Sequence, residues 1–272
     1  MKKKIFILAD SLAVNYGENE LPLCGWGEYL KDFINDEYEI ENYGRAGWST
    51  EAFLTNGYGT SFTDRSLWDE IYEKISTGDL VLMCLGINDV RLDYELKTSE
   101  EKYRENLAYL TSQIRNKNAD IVFCTLAISG GAEDSENGWD YKLPAPDNKE
   151  PVMTERWMRR SKVLYDIGDD LSVTVLPFGE ELKKIYENMY QEYIKNNPNA
   201  STADGRNYVR YYFHLYNRAI NTPVEDGGLG FNMPDRENDS VHLNPRGALV
   251  YAKTISQLLS KTKYSDAVLK VL

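Results

Sequence analysis

The sequence contains the residue types that nucleophilic catalysis by a serine requires. Such catalysis needs a hydroxyl, an imidazole that takes its proton, a carboxylate that orients the imidazole, and donors for the developing oxyanion. Ser11 follows an apolar run, and the only two histidines are His214 and His242. Asp239 precedes His242 by three residues, on a predicted loop just ahead of the last helix, and a turn of that length can bring the carboxylate to the imidazole. We therefore take Ser11, His242 and Asp239 as candidate nucleophile, base and orienting acid.

The position of Asp10 and Ser11 directly after the apolar run indicates a ligand site at the edge of a sheet. An apolar stretch bounded by a polar turn predicts a buried strand. The carboxyl edge of an open α/β sheet is where ligands bind, so Asp10 is also a candidate substrate-binding residue. The alternative is that Asp10 or Ser11 only caps the next helix.

Candidate oxyanion donors follow two further predicted strands. The segment "NYGRAGWST" places glycines at 44 and 47, and a glycine amide can approach a ligand without a Cβ in the way. The segment "LGIND" places the carboxamide of Asn88 after the next strand. The alternatives are a tight turn for the glycines and an Asx turn for Asn88.

Around these segments, strand-like and helix-like patterns alternate along the chain. Alternation of this kind implies a parallel sheet covered on both faces. We predict one domain over residues 1–272, a three-layer α/β/α sandwich with a central parallel sheet of about five strands. The predicted strands are 5–9, 38–44, 79–86, 119–127 and 171–178, and the predicted helices are 25–36, 101–117, 152–170, 180–196 and 244–261, the last with Asn244 as N-cap.

Two long segments, at about 128–151 and 197–238, interrupt this alternation as insertions. Loops of this length in a compact domain are usually functional or disordered. Both follow predicted strands and can rise at the carboxyl edge near Ser11. Aromatic residues in the irregular segments invite a sugar-binding interpretation, with packing as the alternative. Trp48 is the best candidate contact for an acyl group or a sugar because it directly follows Gly47.

The four segments together resemble the SGNH (GDSL-type) hydrolases. The family's blocks stand here as Ala9-Asp10-Ser11, Gly47, Gly86-Ile87-Asn88-Asp89 and Asp239-Ser240-Val241-His242, in the family's order. Within the family the chain resembles the rhamnogalacturonan acetylesterase branch, because "GWGEYL" follows the serine block and "HLNPRGA" closes the chain's last block. Ala9 replaces the family's usual glycine, and Ile87 stands where pectin-type acetylesterases usually carry histidine.

The resemblance implies a flavodoxin-like fold and a role for each matched residue. Ser11 would be the nucleophile, His242 the general base, and Asp239 its orienting partner. The backbone N–H groups of Ser11 and Gly47, with the side chain of Asn88, would form the oxyanion hole. No metal or other cofactor is implied. No acidic residue stands at a spacing from His214 that would indicate a catalytic pair, so we interpret His214 as structural.

The charge and composition of the chain limit the classes of partner that it can bind. The net charge of −12 and the pI near 4.8 argue against a nucleic-acid surface and against an anionic membrane. Cys24, Cys84 and Cys124 lack metal-site or redox spacing. The apolar run after "MKKK" is shorter than an export signal and no segment approaches membrane-spanning length, so we expect a cytoplasmic protein.

The sequence leaves three functions open. The first is a serine esterase that removes acetyl groups from a carbohydrate, with an acetylated oligosaccharide as substrate. The second is an esterase or thioesterase for longer acyl chains on the same fold. The third is a non-catalytic glycan-binding protein on this fold, against which the presence of all the catalytic groups argues. The oligomeric state is not determined by the sequence.

Overall fold

A five-stranded parallel sheet lies at the centre of the protein, with the strand order β2-β1-β3-β4-β5. The computed structural model describes residues 2–55, 66–90, 98–127, 153–215 and 239–269. The predicted parallel sheet of five strands, flanked by helices, is therefore confirmed. The strands are β1 (Lys3–Ala9), β2 (Tyr38–Asn42), β3 (Leu80–Cys84), β4 (Asp120–Cys124) and β5 (Thr174–Leu176).

The helices account for most of the rest of the described chain. They are α1 (Trp26–Leu30), α2 (Thr50–Leu54), α3 (Leu67–Lys74), α4 (Glu100–Asn116), α5 (Met153–Leu171), α6 (Phe178–Asn196), α7 (Thr202–Phe213) and α8 (Pro245–Leu259). Asn244 caps α8 as predicted, since its side chain accepts a hydrogen bond from the N–H of Gly247 at 3.1 Å. The predicted helix over 25–36 is shorter in the structure, because the chain tightens into a 3₁₀ turn at Lys31–Phe33.

The carboxyl-terminal five residues of β1 are all apolar because they lie in the core. Ile5, Phe6, Ile7 and Leu8 have no exposed surface, because β1 lies between β2 and β3 and is covered on both faces. The chain order reverses between β1 and β3, and this reversal is the switch point at which doubly wound sheets bind ligands. Ser11 and Asn88 follow these two strands and thus flank the switch point.

The structure corrects the prediction of a long loop from 197 to 238. Helix α7 lies inside this segment and begins at a capping box, in which Ser201 Oγ accepts from the N–H of Asp204 at 3.2 Å and Asp204 accepts from the N–H of Ser201 at 2.8 Å. The capping-box spacing was visible in the sequence as a start signal for a helix. Residues 216–238, and the whole 128–151 insertion, lie outside the described residues.

A second correction concerns the segment that carries Asp239 and His242. It was predicted as a loop, but it forms β7 (Asp239–Leu243), which pairs antiparallel with β6 (His214–Leu215). The pairing joins residues 24 or more positions apart, so local pattern could not reveal it. Within the described part of the chain, no helix is long and apolar enough to cross a membrane.

Candidate active site

Ser11 begins a 3₁₀ turn, Ser11–Ala13, directly beyond the end of β1. The carboxylate of Asp10 caps this turn by accepting a hydrogen bond from the N–H of Leu12 at 3.0 Å. Asp10 is only 3% exposed, whereas Ser11 is partly exposed at the sheet edge. The capping alternative thus holds for Asp10, and its direct contact with substrate stays a prediction.

Helix α1 packs closely against the backbone of the Ser11 turn. A Cβ added to Gly25 would lie 2.1 Å from the carbonyl oxygen of Val14, so no other residue can stand there without moving the backbone. Glu28 closes the same loop by accepting hydrogen bonds from the N–H groups of Gly25 and Tyr16, at 3.0 and 3.1 Å. The "GWGEYL" segment therefore helps to fix the position of the Ser11 turn.

Gly47 lies in a tight turn after β2. The N–H of Trp48 donates to the carbonyl of Arg45 at 3.3 Å, and Gly47 occupies the third position of the turn with φ of 76°. This conformation favours glycine, so the tight-turn interpretation is correct for Gly47. The use of its N–H as an oxyanion donor stays a prediction. Trp48 is partly buried with its ring edge-to-face against Phe53, at 5.2 Å between centroids.

Asn88 connects the loops that follow β2 and β3. Its Nδ2 donates to the carbonyl oxygen of Trp48 at 3.0 Å, and the residue is 5% exposed. This bond crosses 40 residues of sequence and differs from the Asx turn weighed as the alternative. A carboxamide has two N–H groups, so Asn88 can hold the Trp48 loop with one and donate to an oxyanion with the other.

A buried carboxylate next to Asn88, to which no role was assigned from the sequence pattern, fixes both loops. Asp89, 1% exposed, accepts hydrogen bonds from the N–H and the hydroxyl of Thr50 and from the hydroxyl of Thr98, the hydroxyl bonds at 2.6 and 2.8 Å. Burial raises the pKa of Asp89, and the threonine bonds act in the opposite direction. The Asp that directly follows Asn88 in the "GIND" segment was the signal that could have identified this anchor.

His242 is brought to the Ser11 turn by β7, which lies against that turn. The backbone N–H of Cys24 donates to the carbonyl of Leu243 at 3.0 Å and holds the strand there. Burial raises the pKa of Asp10 to about 6, against the lowering effects of the Leu12 bond and of the charge of His242. His242 therefore lies close enough to Asp10 to act on it electrostatically. Asp239 begins the same strand, and its orientation of His242 stays a prediction.

His214 lies in the core, in keeping with the structural role predicted for it. It has no exposed surface, its Nε2 lies 2.8 Å from the hydroxyl of Tyr186, and its Nδ1 lies 3.2 Å from the carbonyl oxygen of Val241. Among the described residues no group of three or more histidine, cysteine or acidic side chains is placed to bind a metal. Metal-independent chemistry stays a prediction.

The fold and the site define a class: a doubly wound α/β protein whose polar side chains gather at the switch point of the sheet. A model of the family of GDSL-like lipases and acylhydrolases matches residues 5–255, and the chain belongs to this family. The resemblance drawn from the four sequence blocks is confirmed at the level of the family.

Three known proteins illustrate the similarity. The chain is 27% identical to rhamnogalacturonan acetylesterase RhgT of Bacillus subtilis over 94% of this chain and 90% of RhgT. It is 26% identical to the esterase YxiM of Bacillus subtilis over 50% of this chain, and it spans only 35% of YxiM. The crystal structure of YxiM matches with a TM-score of 0.61 at 19% identity, over 96% of this chain and 57% of that one. The acetyl xylan esterase AlAXEase shares the fold with a TM-score of 0.54 at 17% identity, over 93% and 98% of the two chains.

Proposed function

We propose that this chain is a serine esterase that removes acetyl or other short acyl groups from a carbohydrate. The observation that carries the proposal is the meeting of three elements at one sheet edge: the Ser11 turn after β1, Asn88 after β3, and β7 with His242 against the Ser11 turn. Membership of an acylhydrolase family supports the reaction class.

The reaction follows from the roles of these groups. Ser11 Oγ attacks the ester carbonyl carbon while His242 accepts the hydroxyl proton, and Asp239 orients the imidazole. The N–H groups of Ser11 and Gly47 and the Asn88 side chain donate to the oxyanion of the tetrahedral intermediate. Collapse breaks the bond to the sugar oxygen, which takes the proton from His242. Water then attacks the acyl-enzyme by the same route and releases the carboxylic acid.

Separate observations support a carbohydrate as the substrate. RhgT, which aligns over most of both chains, is named as a rhamnogalacturonan acetylesterase. Trp48 offers a partly exposed aromatic surface directly after Gly47, where an acyl group or a sugar would lie. The protein's acidity disfavours nucleic acid and anionic membranes as partners. A cytoplasmic location remains part of this proposal.

The test of the nucleophile is covalent labelling with a fluorophosphonate, followed by peptide mass mapping. We expect one adduct, at Ser11, and its loss together with turnover in Ser11→Ala. His242→Ala should lower kcat at least about a thousandfold, because members of a triad act as a unit. Ser260→Ala is the matched control, since this exposed hydroxyl, at the far end of α8 from the candidate site, donates to the Gln257 carbonyl at 2.8 Å. Labelling at another serine would contradict the assignment.

The acyl and alcohol specificities need a second measurement. Rates on p-nitrophenyl acetate, butyrate and octanoate should fall with chain length, and acetate release from acetylated oligosaccharides should identify the sugar. A preference for octanoate would favour the longer-chain esterase. A protein that is neither labelled nor active on any ester would favour the glycan-binding alternative and overturn the proposal.

A further inference from the structure

Three buried polar side chains form a continuous chain of hydrogen bonds behind β7. Tyr186 of α6, His214 of β6 and Tyr251 of α8 each have no exposed surface. The Tyr186 hydroxyl lies 2.8 Å from the Tyr251 hydroxyl and 2.8 Å from Nε2 of His214. His214 Nδ1 in turn lies 3.2 Å from the carbonyl oxygen of Val241, the residue before His242.

The carbonyl at the end of this chain of hydrogen bonds determines which group donates and which accepts in each bond. A carbonyl oxygen can only accept, so His214 must carry a proton on Nδ1. Because a fully buried imidazolium is unfavourable, Nε2 is unprotonated and accepts from Tyr186. The hydroxyl of Tyr186 has only one proton, so Tyr251 donates to Tyr186. The chain therefore holds His214 as a neutral ring in a single tautomer.

The irregular pairing of β6 with β7 explains why a contact that fixes the Val241 backbone is useful. His214 pairs with Leu243, but Leu215 pairs with Asp239, so the register shifts between two adjacent residues of β6. Residues 240–242 lie between these two ladder pairs. Irregular pairing of this kind re-aims side chains and is common beside active sites. The His214 ring binds the backbone inside this irregular segment, next to His242.

The other end of the hydrogen-bond chain lies near the Ser11 turn. Burial raises the pKa of Tyr251, its bond to Tyr186 lowers it, and the charge of Asp10 raises it. Asp10 in turn caps the turn that begins at Ser11. The Tyr251 end of the hydrogen-bond chain is thus within electrostatic range of the carboxylate that caps the Ser11 turn.

We propose that His214 is a positioning residue for His242: its Nδ1–H holds the Val241 carbonyl, and Tyr186 fixes the orientation and tautomer of its ring. The proposal rests on the proposed esterase function, since positioning is measured through the activity of His242. It assigns the histidine outside the predicted triad a part in catalysis without contact with the substrate.

The test compares His214→Leu, which removes both ring nitrogens, with His214→Asn, whose Nδ2 can take the place of Nδ1. We expect kcat for p-nitrophenyl acetate to fall about 10- to 100-fold in His214→Leu, because small misplacements of a catalytic group have effects of that size. KM should change less than about twofold, since ground-state binding is not involved. Fluorophosphonate labelling of Ser11 should slow in parallel, and His214→Asn should recover most of both rates.

Two further variants separate positioning from stability. Ile114→Ala removes a fully buried side chain at the end of α4, just before the amino end of β4 and thus across the sheet from Ser11. We expect it to lower Tm as His214→Leu does while kcat stays at the wild-type value. Tyr186→Phe keeps the ring packing and removes the hydroxyl that orients His214, so it should lower kcat even if His214→Leu does not fold.

The outcomes distinguish the two proposals. Wild-type kcat in folded His214→Leu or Tyr186→Phe, an equal loss of kcat in Ile114→Ala, or no recovery in folded His214→Asn would overturn the positioning role and leave the esterase intact. A wild-type protein without esterase activity or Ser11 labelling would overturn the esterase proposal, and the positioning role with it.

Discussion

The loops after β2 and β3, which we call the donor side, are held by a charged group. The carboxylate of Asp89 accepts from the N–H and hydroxyl of Thr50 at the start of α2, and from the hydroxyl of Thr98. Asn88 adds a bond from its amide to the Trp48 carbonyl. Beyond the backbone bonds of Tyr43 and Arg45 to β1, the described residues of these loops form no strand ladder, and the buried carboxylate ties the two loops together.

The strand β7, which we call the base side, is held by neutral groups. Cys24 donates a backbone bond to Leu243, and the His214 ring bonds the Val241 carbonyl. Hydrogen bonds to charged groups are roughly twice as strong as neutral ones, but removal of one partner leaves a charge unpaired. In this protein the irregular loops are thus tied together by a charged anchor, whereas the paired strand β7 is held by two neutral contacts, the Cys24 N–H and the His214 ring.

Apart from the triad residues, the largest expected effect falls on the donor side, at Asn88. Asn88→Ala should lower kcat about 10²–10³-fold with KM nearly unchanged, because an oxyanion donor acts only in the transition state. Asn88→Asp should be worse, since a carboxylate would face a developing negative charge. Steady-state kinetics with p-nitrophenyl acetate checks both. A wild-type kcat in Asn88→Asp would restrict Asn88 to its bond with Trp48.

The next effect concerns Asp10, which lies between the two sides. Its pKa rises from an ordinary 3.8 to about 6 on folding, so the folded state binds more protons between those values. The stabilisation is present below about pH 4 and is lost as pH rises through 6, up to about 3 kcal/mol. Asp10→Asn keeps the oxygen that accepts from Leu12 and should remove this dependence. Urea unfolding of both proteins from pH 4 to 8 measures it, and parallel curves would contradict it.

A smaller effect is expected at Asp89, with a control at the opposite edge of the sheet. Asp89→Asn replaces one accepting oxygen with an amide N–H, which would face a donor of Thr50 or Thr98. We therefore expect the free energy of unfolding to fall by about 1–3 kcal/mol and kcat to fall as well. Asp79, 4% exposed, accepts at 2.8 Å from the backbone N–H groups of Lys4 and Ser76 before β3 begins. Asp79→Asn should therefore lower Tm without changing kcat. Equal kcat in the two variants would show that the donor side does not depend on Asp89.

The smallest effect tests the base side through Asn244. Besides capping α8, its Nδ2 donates to the carbonyl oxygens of His214 and Tyr211, at 2.8 and 3.3 Å. Asn244→Ser keeps an equally good N-cap and removes these two bonds, so stability should fall by about 1 kcal/mol. That corresponds to a Tm lower by roughly 2–4 °C in a chain of this size. An unchanged Tm would mean that the cap alone matters at this position.

Local pattern was sufficient for the sheet and for most long helices. The five predicted strands are the five parallel strands of the sheet. The runs in β1, β3 and β4 are apolar because these strands are covered on both faces, whereas the edge strand β2 keeps two glutamates. The short helices α2 and α3 were missed because five and eight residues give little periodicity. Helix α7 was missed although its capping box was present, and β7 was taken for a loop because its partner is two residues long.

The sequence by itself determined the family and predicted which residues carry the chemistry. The types and order of Ser11, Gly47, Asn88 and the pair Asp239 and His242 identified the family, and each follows or lies in a segment whose position the pattern indicated. Only the tertiary structure decided what holds them: that Asp10 caps the Ser11 turn, that Asn88 also binds Trp48, and that His214 stands behind β7. These contacts join residues from different elements, and a buried polar group chooses its partner by proximity in space, which no local spacing encodes.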